Sequence, residues 1–160
     1  EDDFYRAYYL SCVEWRIVNR KPESLYVIKY AESNDGISWL RENIIAIPFK
    51  NEEEGGLVSA SVIKRGMRYF MWFGHRNYFD FRENSANSYR IGFAESNDGI
   101  KWERNDDKFG IDTIDDGWDS EMISYPFVLE SNNQLFLFYN GNHFGKSGFG
   151  YALLNSNLNE

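Results

Sequence analysis

Short apolar runs separated by turn-forming residues set the pattern of this chain. Residues 5–13, 26–30, 61–64, 69–73, 89–93, 125–130, 135–139 and 148–153 are built around Tyr, Phe, Val, Ile and Leu, with Gly, Asn and Asp in many of the segments between them. Aromatic and β-branched side chains pack well on a pleated surface, so runs of this length predict strands joined in a meander. No segment keeps apolar residues at helical spacing, and no helix is expected.

The strands recur in a fixed order. Ala-Glu-Ser-Asn-Asp-Gly-Ile occurs at residues 31–37 and again at 94–100, 63 residues on, and each copy is followed by a tryptophan, Trp39 or Trp102. A period of that size denotes supersecondary units that are stacked or set around an axis. Around the second copy the unit reads as four strands, at residues 61–64, 69–73, 89–93 and 101–104. Repeated four-stranded antiparallel units are the blades of a β-propeller. The fold class is therefore all-β, with about two and a half blades of a five-bladed propeller. Residues 57–106 form a complete blade, 1–50 one without its innermost strand, and 118–155 one without its outer strand. A propeller closes to remove its edges, so a missing N-terminal half or a second chain is expected to complete it.

Placing the repeat on a blade divides turn residues from site residues. The Ser-Asn-Asp-Gly segments join third and fourth strands, where Asn and Asp cap the turn and Gly supplies positive φ. Asp35 and Asp98 are thus structural, and Trp39 and Trp102 cover the turns and pack between blades. The opposite face receives His75, Arg76 and Arg90 from the complete blade, and Asn140, Asn142 and His143 from the last. It also receives the segment entering the last blade, Trp118-Asp119-Ser120-Glu121-Met122, which leads to Tyr125. Carboxylates there suit acid–base work on a glycosidic bond, and Trp118 suits stacking on a sugar ring. Two readings stay open for each acid: Asp119 as a turn cap, and Glu121 as an ion-pair partner of Arg76 or Arg90. Two histidines without a spaced third ligand make a poor metal signal, so His75 and His143 read as hydrogen-bonding loop residues. No metal or cofactor is expected, and a central structural ion has no support in the sequence. Residues 51–56, with three glutamates, read as a solvated loop, and Cys12 as a packed core residue.

Charge and composition narrow the partners. A net charge of −8 argues against nucleic acid, which needs clustered Lys and Arg. No apolar stretch is long enough to cross a membrane, and no signal peptide is visible in a chain opening Glu1-Asp2-Asp3. An acidic, aromatic-rich chain suits a neutral, hydroxyl-rich ligand, and a carbohydrate is the expected partner.

The chain resembles the five-bladed propeller glycoside hydrolases, families 32 and 43 among them. The resemblance rests on Tyr-Arg-Ile-Gly-Phe-Ala-Glu-Ser-Asn-Asp-Gly-Ile-Lys-Trp at residues 89–102. It rests also on residues 118–122 with Tyr125-Pro126, and on Tyr139-Asn140-Gly141-Asn142. It implies three acids on successive inner strands, the first two in blades this chain does not contain. Glu121 is then the general-acid candidate and Asp119 an orienting residue. His75, Arg76, Arg90, Trp118, Tyr125, Asn140, Asn142 and His143 are substrate-binding or tuning residues. The chain departs from the family at Ser124, which stands where a Glu-x-Pro spacing would put the acid, and at Ser59-Ala60-Ser61. A non-catalytic carbohydrate-binding or assembly module is the alternative reading, and a phosphorolytic relative a third. The Asp-box of sialidases is a weaker match, because the turn here is one residue short.

Overall fold

The computed structural model describes residues 3–108 and 111–154. Ten strands account for most of them: β1 Tyr5–Val18, β2 Lys21–Ser33, β3 Ile45–Ile47, β4 Glu54–Arg65, β5 Arg68–Asn77, β6 Arg90–Ser96, β7 Glu103–Arg104, β8 Ser124–Ser131, β9 Gln134–Asn140 and β10 Phe149–Leu154. Helical structure among the described residues is confined to turns of three or four residues. The protein is nearly all-β.

Antiparallel pairing groups the strands into three units. The first runs β1-β2-β3, the second β4-β5-β6-β7, and the third β8-β9-β10. The first two are not separate sheets, as independent blades would be. A single parallel pair, Tyr26 with Gly56, joins β2 to β4 and makes one seven-stranded sheet. The strand β4 also begins earlier than its apolar pattern suggests, because Glu54 is buried and paired, not solvated.

The run 69–73 explains how the units stack. Its side chains alternate between two faces, and both faces are covered. Met71 and Phe73 pack with Val27, Ile28, Tyr30 and Ile47 of the first unit. Phe70 and Trp72 pack with Val128, Leu135, Leu137 and Tyr139 of the third. Burying each such side chain is worth about 1.5–3 kcal/mol, so the second unit is held from both sides.

The second and third units repeat each other in detail. In β4 the register shifts between Val58 and Ser61, and in β8 between Ser124 and Phe127. Ser59 and Tyr125, one residue into each bulge, both have φ of 54°. Beyond the bulge, Ser61 faces Trp72 and Ile63 faces Phe70, as Phe127 faces Phe138 and Leu129 faces Phe136. Phe136 and Phe138 thus hold the positions of Phe70 and Trp72, but their face is open: Phe127, Leu129, Phe149, Tyr151 and Leu153 are exposed beside them. The first unit has an open face too, where Ala7, Tyr9, Ala31, Ile37 and Trp39 line a shallow hollow. Cys12 is exposed on β1 and is not a core residue.

The duplicated heptapeptide makes two near-identical turns. Asp98 Oδ1 accepts from the amides of Ile100 and Lys101, both at 2.8 Å, and Ser96 Oγ accepts from Gly99 N at 2.8 Å. Asp35 and Ser33 repeat this, with 2.8 and 2.7 Å to Ile37 and Ser38 and 2.9 Å to Gly36. These amides hold the Asp35 carboxyl at about 2, below its ordinary value. Gly36 and Gly99 have φ of 73° and 71°, which only glycine adopts freely. Only the second turn is also an interface. Tyr8 Oη donates to Gly99 O and Arg6 to Asp98 O, both at 2.6 Å, and Tyr8 meets Trp102 edge-on. Trp102 therefore packs between units as expected, whereas Trp39 stands on the open face. Asp98→Ala should cost about 1 kcal/mol in urea unfolding, as for a lost cap, and should cost more than Asp35→Ala.

Candidate functional site

The repeated Ser-Asn-Asp-Gly turns and the longer connections lie at opposite ends of the sheets. Asn19, in the β1–β2 turn, donates to Asp80 Oδ1 at 3.1 Å. Arg82 pairs with Glu23 at 2.6 Å, and Ile123 N reaches Tyr89 O at 3.2 Å. Asn142 N reaches Trp118 O at 2.8 Å. The β5–β6 connection, the β9–β10 connection and the segment entering β8 therefore converge. Between them opens a cavity of about 400 Å³ lined by Phe81, Arg82, Glu83, Ser85, Ser88, Glu121, Met122, His143 and Phe144.

Glu121 and His143 both line this cavity. Their side chains are exposed, with Oε2 and Nε2 3.8 Å apart, too far for a hydrogen bond. Neither arginine pairs with the Glu121 carboxylate. Arg90 instead donates to the main-chain carbonyl of Glu121 at 3.0 Å and pairs with Asp112 at 2.9 Å.

Asn142 is a positioning residue, not one free to bind a sugar. It is buried, and its amide is fully used. Oδ1 accepts from Glu121 N at 2.8 Å and Met122 N at 3.2 Å, while Nδ2 donates to Gly117 O and Ser120 Oγ. Asn140 lies in the ladder between Ser124 and Phe149.

Trp118 and Asp119 turn inward. The Trp118 ring stacks on Tyr139, with centroids 5.3 Å apart, and packs so closely on Gly141 and Gly150 that neither position has room for a Cβ. It is not a free platform for a sugar. Asp119 is 4% exposed and accepts from Tyr139 Oη at 3.0 Å. Burial and this carboxylate push the Tyr139 phenol up to about 12, so it stays protonated and keeps donating. Asp119 anchors the loop and does not reach the cavity.

Part of the chain's backbone strain lies at or near the cavity, where His143 and Phe144 line it. His143, Phe144, Asp80 and Tyr125 all have φ between 49° and 60°, a left-handed conformation costly for residues with a side chain. Tyr125 is exposed, its ring 6.3 Å from Tyr89, which in turn meets Phe144 edge-on at 5.8 Å. Such outliers cluster where surrounding structure holds a functional surface in place. Phe81, Phe144, Ser85, Ser88 and Glu83 were not foreseen. They lie in polar loops whose spacing carries no periodic signal.

His75 belongs to a different group. Its Nδ1 lies 3.2 Å from Glu54 Oε1, in a cluster that also contains Arg104 and Asp106. Arg104 grips Glu54 with two bonds of 2.7 Å, and Lys50 N adds a third at 2.7 Å. Burial opposes the Glu54 charge, but hydrogen bonds from His75 and Arg104 and the charge of Arg104 hold its carboxyl at about 2. Arg76 is also buried away from Glu121, among Tyr26, Phe81 and Tyr89. Among the described residues no group of three or more His, Cys, Asp or Glu could hold a metal ion.

With this geometry in hand, comparison with known proteins places the fold. No family model matches the chain. Two uncharacterized proteins from strains of Mycobacterium tuberculosis are 34% identical over 150 residues, which is 94% of this chain and 46% of theirs. The chain thus spans about half the length of the curated relatives it matches. A family 117 glycoside hydrolase of the marine bacterium Zobellia galactanivorans aligns with a TM-score of 0.63 and 18% identity, over 81% of this chain and 37% of that one. A family 32 β-fructofuranosidase of Bombyx mori, in complex with sucrose, aligns with a TM-score of 0.65 and 15% identity, over 96% of this chain and 32% of that one. A thermostable family 43 glycoside hydrolase aligns with a TM-score of 0.61 and 16% identity, over 91% and 55%. The fold is glycoside hydrolase-like, and at these identities the likeness is one of fold.

Two outcomes follow from the buried groups. Glu54→Gln should cost about 3–5 kcal/mol in urea unfolding at neutral pH, because it leaves the buried Arg104 short of its counter-charge. The Glu54 pKa is lowered on folding, so its contribution is complete above the ordinary carboxylate range and is lost as pH falls towards about 2. The variant should therefore lose less stability on acidification than the parent. Asn142→Ala should speed hydrogen exchange at the amides of Glu121 and Met122 while leaving those of β5 protected, as read by amide-resolved NMR.

Proposed function

We propose that the chain is part of a carbohydrate-active β-propeller of glycoside hydrolase type, whose site is the cavity holding Glu121 and His143. One observation carries this reading: a strained, aromatic-lined cavity with an exposed carboxylate, on a fold shared with glycoside hydrolases of three families. The substrate is an oligo- or polysaccharide, and the bond acted on is glycosidic.

Glu121 is the proton donor in this reading. Its main chain is fixed by Asn142 and Arg90, and its carboxylate makes no hydrogen bond among the described residues. Glu83 is the second carboxylate on the same cavity. Further acids come from blades outside this chain. Separation of the two working carboxylates then sets retention or inversion. Phe144 and Tyr125 supply ring faces for sugar stacking, and His143, Ser85 and Ser88 supply hydrogen-bonding groups.

Ring closure by further blades is supported from two sides. The 150 matched residues are 46% of each relative, so the relatives run to about 330 residues, or about five periods of the 63-residue repeat. The open face of the third unit repeats the face that the second unit buries, down to Phe136 and Phe138 in place of Phe70 and Trp72. Residues 1–50, 57–106 and 118–155 are then three of five blades.

A non-catalytic carbohydrate-binding module is the second reading. It is favoured by the burial of Asp119 and by the lack, among the described residues, of an ion pair between Arg76 or Arg90 and the Glu121 carboxylate. Glu121→Gln separates the two. In an enzyme the variant should keep oligosaccharide affinity within about twofold and lose on the order of 10²-fold in release of reducing ends. Binding without turnover once the blades outside this chain are present means a binding module, and no oligosaccharide binding at all contradicts both.

A further inference from the structure

Arg76 is a buried guanidinium without an ion-pair partner among the described residues. It is 2% exposed, yet all its hydrogen-bond acceptors are neutral. Nε donates to Tyr89 Oη at 3.2 Å, Nη1 to Asn77 O at 2.8 Å, and Nη2 to Ser24 O at 3.5 Å and Tyr26 Oη at 3.4 Å. No carboxylate among the described residues forms an ion pair with it. The contrast with Arg104 is informative. That guanidinium is also largely buried, and it is matched by Glu54 and Asp106. A charge taken out of water without a counter-charge is costly, and long neutral bonds recover only part of the loss.

The missing counter-charge has a place to come from. The Arg76 guanidinium lies 3.7 Å from the centroid of the Phe81 ring, and the Arg82 guanidinium lies 4.1 Å from the same centroid. Phe81 and Arg82 both line the cavity that holds Glu121. Arg82 also lines the neighbouring hollow of about 620 Å³, with Lys21 and the acids Glu23, Asp80 and Glu83, and its partner Glu23 leaves its side chain half exposed. Two guanidinium groups thus flank one ring at one end of the cavity, in a chain whose net charge is −8. Glu83 lies on the same loop, and Glu121 with His143 lines the cavity as well.

We infer that the cavity selects an acidic sugar, whose oxyanion is drawn to the Phe81 end by Arg82 and, once the Phe81 ring turns aside, by Arg76. This rests on the carbohydrate reading above and names the substrate class within it. Planar guanidinium groups match a carboxylate in two-bond geometry, and a uronic acid carries that carboxylate on the sugar ring itself. Phe81 is the gate, because its ring covers Arg76 and lines the cavity at once.

The test is ligand titration followed by NMR, with glucuronic acid, glucose and inorganic sulfate as the three probes and circular dichroism to check each variant's fold. Glucuronic acid should bind at least about tenfold more tightly than glucose, and sulfate more weakly than glucuronic acid. Arg82→Gln, whose side chain is half exposed, should lower the glucuronic acid to glucose ratio without unfolding the chain. Phe81→Ala should raise it by uncovering Arg76, and Arg76→Gln added to Phe81→Ala should cancel the gain. Equal or tighter binding of glucose overturns the acidic class and leaves the carbohydrate reading standing. Sulfate binding as tight as glucuronic acid means an oxyanion site without sugar recognition and also overturns the inference. A ratio unmoved by both Arg82→Gln and Phe81→Ala removes these residues from recognition. If neither sugar binds, the carbohydrate reading itself falls.

Discussion

The buried pair of Glu54 and Arg104 is the constraint on which the second unit, packed on both faces, depends. Apolar faces attract without direction, and the flat faces of neighbouring units could slide over one another. Glu54 supplies direction inside the second unit. It stands at the first residue of β4, while Arg104 comes from β7, His75 from β5, and Lys50 from the connection leaving the first unit. A charge this deeply buried tolerates only a geometry that keeps it paired and hydrogen-bonded. Two residues on from Glu54, Gly56 pairs with Tyr26 and joins the first two units, and the β5–β6 connection lies beside the β1–β2 turn, where Asn19 bonds Asp80.

The candidate site inherits its rigidity from a second polar device of the same kind. Asn142 spends its whole amide on the segment entering β8, and Arg90 adds a bond to the carbonyl of Glu121. The carboxylate of Glu121 is left exposed on a fixed backbone. Around it, His143, Phe144 and Tyr125 are kept in left-handed conformations that an unconstrained loop would relax. Fixed backbone, free carboxylate and presented rings are what a carbohydrate site needs, since sugars offer hydroxyls and ring faces and little apolar depth.

The strands and the repeat were legible from sequence because both leave periodic marks. The heptapeptide marked its own turns, and the bonds of Asp35 and Asp98 to following amides are the reason those residues recur. Two kinds of feature left no such mark. Glu54 follows two other glutamates and looks like part of a solvated run, although Asn51 Oδ1 turns the loop back and sends only the third acid inward. Trp118, Asp119 and Asn142 have the residue types of a sugar site, but long-range partners absorb them: Tyr139 takes the first two, and the entry loop takes the third. Side-chain type suggested chemistry at those positions, and burial decided otherwise.

In the proposed function one end of these sheets recognises carbohydrate, and the other end, where the repeated turns lie, is scaffold. Mapping amide chemical-shift changes on addition of a mixed oligosaccharide pool tests it most directly. Changes are expected at Ser85, Ser88, Glu121, Met122, His143 and Phe144, and none in the turns that follow Ser33 and Ser96. Changes confined to those turns, or spread evenly over both ends, would contradict it.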